Sequence, residues 1–177
     1  MSDGTPIIGI VGWKNSGKTT LTVALIGELV RRGYRVASIK HAHHNLRIDD
    51  KDTDSARHRQ AGAAQVAVVS EKRWAIVTEL NGTPEPDFQD MLSKFEPCDI
   101  IVVEGYKSQP IPKIEARRSE SANTQPLATT DPNVIAIATD HAIEDAGSAR
   151  IFSIDAITSI TDFIITSLAV SKRKLGA

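Results

Sequence analysis

A single cysteine, Cys98, stands in the whole chain, which rules out an internal disulfide and a thiolate-based zinc cluster and suits a reducing compartment. Its apolar setting from Cys98 to Val103 marks a packed thiol rather than a nucleophile. Charge of one sign is also scarce: 21 Lys and Arg against 22 Asp and Glu leave a formal net charge of -1, so no broad basic field is available to hold a nucleic-acid backbone. No stretch approaches the roughly 20 apolar residues that span a bilayer, and no basic segment followed by an apolar one opens the chain. The expectation is a cytoplasmic protein with no nucleic acid and no membrane as partner. Internal repeats and linkers are missing as well. With 177 residues, 41% hydrophobic and 24% charged, a single α/β domain over 1–177 is expected.

What is present alternates between strand-like and helix-like patterns. Ile7 to Val11 is a short apolar run, and Leu21, Leu25, Ile26, Leu29 and Val30 follow at helical spacing up to Gly33, placed as a C-terminal cap. Arg35 to Ile39 reads as a second strand, and Asp54 and Ser55 are placed to cap a short helix that stops at Gly62. Val66 to Val69 and Trp74 to Thr78 form an expected hairpin turning at Glu71 and Lys72, an insertion over about 64–80. Phe88, Met91, Leu92 and Phe95 mark one face of a further helix. Strands are expected at Asp99 to Val103, near Lys113 to Ala116, at Val134 to Ala138 and at Ile151 to Ile154. A last helix opens at Asp155. The polar stretch over about 119–132 is expected as an exposed, flexible connection. The pattern implies an α/β fold of P-loop NTPase type: a mostly parallel sheet with helices on both faces and an antiparallel hairpin, ligands lying beyond the carboxyl ends of the strands.

Gly12-Trp13-Lys14-Asn15-Ser16-Gly17-Lys18-Thr19 satisfies G-x-x-x-x-G-K-[ST] in full, between an expected strand and an expected helix. In such a loop the glycines let backbone N–H groups turn inward around phosphate oxygens, and the helix N-terminus adds partial positive charge at Thr19 and Thr20. Lys18 reaches the β and γ phosphates, and the Thr19 hydroxyl ligates Mg²⁺. A second carboxylate is needed at the end of an apolar strand. Asp99 and Glu104 bracket Ile100 to Val103, and at about 3.3 Å per residue they lie roughly 16 Å apart. Only Glu104, at the carboxyl end, can belong to the site, with Lys18 and Glu104 as the pair acting on the triphosphate.

Lys40-His41-Ala42-His43-His44 follows the second strand, a position suited to lining the γ-phosphate side or an acceptor site, with a solvated loop as the plainer reading. Asp49, Asp50, Asp52 and Asp54 come next; beside a triphosphate they need a cation, so at least one is expected to assist Mg²⁺. Asp140, closing Ala138-Thr139-Asp140, has a carboxylate that can accept two hydrogen bonds from guanine but finds no such donor pair on adenine. It therefore favours GTP, with a helix N-cap as the competing role. The Asn-Lys-x-Asp guanine motif is absent.

Taken in order, the P-loop, Ile39-Lys40-His41-Ala42-His43-His44, Asp54-Ser55, Ala61-Gly62-Ala63, Arg73-Trp74, Val103-Glu104-Gly105-Tyr106-Lys107 and Ile137-Ala138-Thr139-Asp140 resemble the MobB family, molybdopterin-guanine dinucleotide biosynthesis protein B. The resemblance covers most of the chain. It implies a homodimeric GTP-binding protein that assists a guanylyltransferase partner, MobA, in attaching GMP to molybdopterin, with slow Mg²⁺-dependent GTPase activity at most. It carries Thr19, Glu104 and Asp54 over as the metal side of the site, and leaves open whether molybdopterin itself meets this chain. One departure is local: where the family commonly has Pro-Gly-Lys before Asp-Ser, this chain has Lys51-Asp52-Thr53. The hairpin, as a sheet edge, also points to a homodimer. A small-molecule kinase with His41, His43 or Asp54 as base uses the same loop and is the alternative reading.

Overall fold

The structure, a computed structural model, describes residues 4–42, 53–121, 123 and 125–173. It divides into two compact units, one made of Met1–His41 and Phe95–Ala177 and the other of Ala42–Lys94.

The first unit is built on six strands: β1 (Ile7–Val11), β2 (Val36–Lys40), β5 (Ile100–Glu104), β6 (Lys113–Arg117), β7 (Val134–Thr139) and β8 (Arg150–Ser153). They form one sheet in the order β2-β5-β1-β6-β7-β8, and every pairing is parallel. The near-continuous apolar runs of β1 and β5 suit strands at its centre, and β5 is buried along its whole length. Alternation along the strands separates two faces. Ile8, Ile10, Ile100, Val102, Ile114, Ala116, Ala136 and Ala138 gather on one, under α1 (Lys18–Arg31) and α4 (Ile157–Ser167). Leu21, Leu25 and Leu29 recur every fourth residue on α1, while Ile160 and Ile164 do so on α4, so each helix lays one apolar stripe on the sheet. Gly33 stops α1 with a left-handed turn (φ +83°), and Tyr34 N–H reaches back to the Leu29 carbonyl.

The other face buries Val11, Val134, Ile137 and Ala146 beneath Leu127, Ala128, Ile143 and Ala149. Three charged residues of β6 alternate onto it, and each is paired. Lys113 meets Asp131 at 2.6 Å, and Arg117 bridges Glu115 at 2.9 Å and Asp145 at 2.6 Å. Glu115 also accepts the backbone N–H groups of Leu127 and Ala128, each at 3.0 Å. Removing Asp131 would leave the buried Lys113 charge unpaired, and removing Arg117 would leave Glu115 without its cation. These bonds fasten the 119–132 segment at Leu127, Ala128 and Asp131. Its composition suggested an exposed, flexible connection because the anchor lies twelve or more residues back, on β6.

The second unit contains α2 (Asp54–Gln60), β3 (Gln65–Val69), β4 (Trp74–Thr78) and α3 (Phe88–Ser93). Thr53, not Asp54 or Ser55, is the N-cap of α2, accepting from the Ala56 N–H at 3.3 Å. β3 and β4 form a separate two-stranded antiparallel sheet closed by Ser70 and Arg73. Only Val66 and Val77 of the hairpin are buried, while Val68, Val69, Trp74 and Ile76 are exposed. Among the described residues no helix is long and apolar enough to cross a membrane.

Candidate phosphate-binding site

The loop between β1 and α1 is shaped by residues that leave the right-handed regions of backbone space. Gly12 (φ +147°), Asn15 (φ +64°) and Gly17 (φ +85°) turn the chain around one point. A Cβ on Gly12 would strike the Ser16 hydroxyl and the Ala116 carbonyl, and one on Gly17 would lie 2.6 Å from Arg118 Nε. Glycine is thus required at both ends for φ, and at Gly12 also for space, since the Ala116 carbonyl is backbone whereas the Arg118 side chain can shift. Gly17 is the N-cap of α1 and brings no side-chain cap, so the first N–H groups of the helix have no side-chain oxygen from it. Ser16 is buried, whereas Lys14, Asn15 and Thr20 are not.

Strand register sets the facing group. Ile10 and Lys40 are both paired with Glu104, so the carboxyl ends of β1, β5 and β2 finish level with one another. Ile100, Val102 and Glu104 alternate onto the α1 face, which turns the Glu104 carboxylate toward the first turn of that helix. Thr19 Oγ1 donates to Glu104 Oε1 at 2.7 Å. Lys40 Nζ stands 3.3 Å from the same hydroxyl and 3.2 Å from the same carboxylate oxygen. Glu104 is only 7% exposed, so its charge is felt through little water. Lys18 curls back to donate to the Trp13 carbonyl. Burial pulls the Lys18 ammonium below the usual lysine range; Glu104 opposes that shift and Lys40 adds to it. Asp99, at the amino end of β5, is buried and accepts from the backbone N–H groups of Arg35 and Arg173.

Trp13 is held from two sides. Its indole N–H donates to the Gln125 carbonyl at 2.7 Å, and Lys107 Nζ lies 3.5 Å from its ring centroid. Ser121 Oγ donates to the Lys14 carbonyl at 3.2 Å. A cavity of about 290 Å³ opens beside the loop, lined by Trp13, Ser16, Arg117, Arg118, Gln125 and His141. Neither the 121–125 contacts nor Arg118 were marked by sequence spacing, because they reach the loop from more than a hundred residues away. Asp140 follows β7 and accepts from the Ser119 N–H at 2.9 Å and from His141 Nδ1 at 2.7 Å. These bonds hold its carboxyl below the usual range, His141 first and Ser119 second. No helix separates it from β8, so the helix-cap role weighed for it has no helix to serve.

Asp54 opens α2 in the second unit, with its side chain 93% exposed and its carboxylate 3.7 Å from Arg57. His41 packs its ring on Tyr106 at 4.5 Å between centroids. His43, His44, Asp49, Asp50 and Asp52 lie outside the described residues. Among the described residues, no three His, Cys, Asp or Glu side chains gather as a metal cluster. A hard divalent ion would therefore need Thr19 and Glu104 supplemented by ligand oxygens and water.

The model of a protein family described as molybdopterin guanine dinucleotide synthesis protein B, MobB, matches residues 7–140. The molybdopterin-guanine dinucleotide biosynthesis adapter protein of Haemophilus influenzae is 42% identical over 167 residues, covering 93% of this chain and 90% of that protein. The protein of the same description from Escherichia coli is 35% identical over 162 residues, covering 90% and 91%. In solved structures the fold recurs in a MobB homologue from Bacillus stearothermophilus, with a TM-score of 0.66 at 23% identity over 92% of this chain and 97% of that one. It recurs also in a molybdopterin-guanine biosynthesis protein B, with a TM-score of 0.69 at 22% identity over 91% and 99%.

Proposed function

The chain belongs to the MobB family, and from that membership together with the geometry of the loop we propose that it is a GTP-binding accessory protein of molybdenum cofactor biosynthesis. In this reading it assists a MobA-type guanylyltransferase in joining GMP to molybdopterin. The observation that carries the nucleotide part is the convergence of Lys18, Thr19, Lys40 and Glu104 at the carboxyl ends of three adjacent strands. An open helix N-terminus and two ammonium groups suit a polyphosphate, and they would repel a cationic ligand.

The same residues fit Mg²⁺. Two hard oxygens, Thr19 Oγ1 and Glu104 Oε1, lie 2.7 Å apart, and the Lys40 ammonium already rests against both of them. A place that gathers a cationic side chain beside a buried carboxylate is one where positive charge is favoured. When bound there, Mg²⁺ supplies charge neutralisation for the phosphate oxygens. Lys18 holds the β and γ phosphates, Thr19 and Glu104 hold the ion, and Lys40 offsets the carboxylate. Asp54 as a further metal-side residue and Asp140 as the reader of guanine complete the proposal, both supported by their places in the MobB-like pattern rather than by contacts.

The exposed apolar side chains Val69, Trp74 and Ile76 on an unpaired two-stranded sheet support a second copy of this chain as partner. Titration calorimetry with GTP in Mg²⁺, followed by molybdopterin-guanine dinucleotide formation with the transferase with and without this protein, tests the whole reading. No GTP binding would refute its first half, and no effect on dinucleotide formation its second.

A further inference from the structure

We propose that Lys107 is a second phosphate-binding cation of this site, resting on the Trp13 ring in this structure and able to move onto the terminal phosphate of a nucleoside triphosphate. The proposal rests on the nucleotide reading above and adds to it a residue that the G-x-x-x-x-G-K-[ST] pattern does not contain.

Lys107 follows Glu104 by three residues, and the backbone between them is unusual. Gly105 has φ +93° and Tyr106 has φ +50°. A left-handed conformation is strained for an aromatic residue, and such strain persists where the surroundings enforce it. Here the enforcement is visible. Gly105 N–H donates to the Ile10 carbonyl at 3.1 Å, His41 N–H donates to the Glu104 carbonyl at 3.0 Å, and the Tyr106 ring packs on His41. A Cβ on Gly105 would press on the His41 Cβ at 3.2 Å. The two left-handed residues reverse the chain after β5 and send Lys107 back across the phosphate loop.

What it meets there is a neutral ring. Among the described residues Lys107 joins no ion pair and donates no hydrogen bond; its ammonium sits 3.5 Å from the Trp13 centroid. A cation on an aromatic face at a partly exposed site gains less than one in a charge-assisted hydrogen bond to phosphate. Burial lowers its proton affinity, and repulsion from Lys18 lowers it further, against a raising contribution from Glu115. An ammonium that forms no ion pair among the described residues, held by strained backbone within reach of another ammonium's field, suits an anion that both can share. Lys18 serves the β and γ phosphates in a loop of this type, so the shared group is the end of the chain that a diphosphate lacks.

The test compares GTP and GDP binding, each with Mg²⁺, in wild type, Lys107→Met and Lys107→Arg. Met keeps the apolar stem and removes the charge; Arg keeps the charge. In Lys107→Met the GTP affinity is expected to fall roughly tenfold or more, the loss of one charge-assisted contact, while GDP affinity changes about twofold at most. Arg should restore most of the preference. GTP, more than GDP, should also change wild-type indole emission as Lys107 leaves Trp13, and that difference should vanish in Lys107→Met. An unchanged GTP to GDP ratio in Lys107→Met, with wild type binding normally, overturns this inference alone. Failure of the wild type to bind either nucleotide overturns it together with the nucleotide reading.

Discussion

Replacing Glu104 by Gln should separate metal binding from folding. The amide keeps the Glu104 shape and an acceptor for Thr19 Oγ1, which now sits at 2.7 Å. Turning that bond from charge-assisted to neutral costs about 1 kcal/mol. The Lys40 contact at 3.2 Å adds little, since its side chain is 58% exposed and exposed pairs are worth about 0–1 kcal/mol. Relief from burying a carboxylate offsets part of both. The net change in folding stability is therefore under about 2 kcal/mol, a shift that a thermal melt reads easily. The metal is affected differently, because Mg²⁺ prefers anionic oxygen and Glu104 is the only carboxylate in contact with Thr19 among the described residues. The enhancement of GTP affinity by Mg²⁺ should fall on the order of tenfold, equivalent to about 1.4 kcal/mol. Binding in EDTA should hold or improve, because a negative charge next to the phosphates is gone. Calorimetry in Mg²⁺ and in EDTA, with phosphate release measured alongside, provides the comparison. Equal Mg²⁺ enhancement and equal phosphate release in wild type and variant would refute the assignment of Glu104 to the metal.

The fold was legible wherever local pattern and tertiary environment agree. The apolar runs of β1, β5 and β7 and the four-residue spacing on α1 and α4 announced a parallel sheet with helices laid on it, and the MobB-like structures share that architecture. Glu104 could be distinguished from Asp99 by strand length together with the rule that ligands lie at the carboxyl ends of such strands, and the two do lie at opposite ends of β5. Side-chain commitments across long separations were not legible. Lys113, Glu115 and Arg117 look like the polar half of an edge strand, yet all are buried, because Asp131, Asp145 and the backbone at Leu127 and Ala128 come from distant segments to satisfy them. Thr53 displaced Asp54 as the α2 cap for a subtler reason, since both residue types serve and only the backbone decides which leaves the helix first. Lys107 was visible only as part of a family-like string, because its position depends on a left-handed Tyr106 that no propensity favours.

Lys18→Met should abolish measurable GTP binding without lowering stability: a lysine whose pKa is lowered on folding holds fewer protons than in the unfolded chain, so its charge opposes folding at neutral pH. By the same sign, wild-type stability should rise, and GTP affinity fall, as pH climbs through the lowered Lys18 value toward the ordinary lysine range, which melts and calorimetry at a series of alkaline pH values would check. Trp74→Glu on the exposed hairpin should shift light-scattering mass at micromolar concentration from a dimer toward the 19.2 kDa chain, and a wild type that is already monomeric would remove the homodimer from the proposal. Asp140→Asn should weaken the preference for GTP over ATP and admit XTP, whose second carbonyl can accept from the new amide. The native carboxylate already accepts from Ser119 and His141 through Oδ1, so its remaining capacity lies mainly on Oδ2, where the Ser119 hydroxyl approaches only to 3.4 Å. Guanine must therefore displace the His141 contact or share the carboxylate with it. His141→Ala, which leaves only the Ser119 N–H on Oδ1, should then raise GTP affinity while leaving ATP unchanged. If competition binding instead finds the same GTP, ATP and XTP order in wild type, Asp140→Asn and His141→Ala, Asp140 is a structural tie between β7 and Ser119, and base selection belongs to another wall of the site.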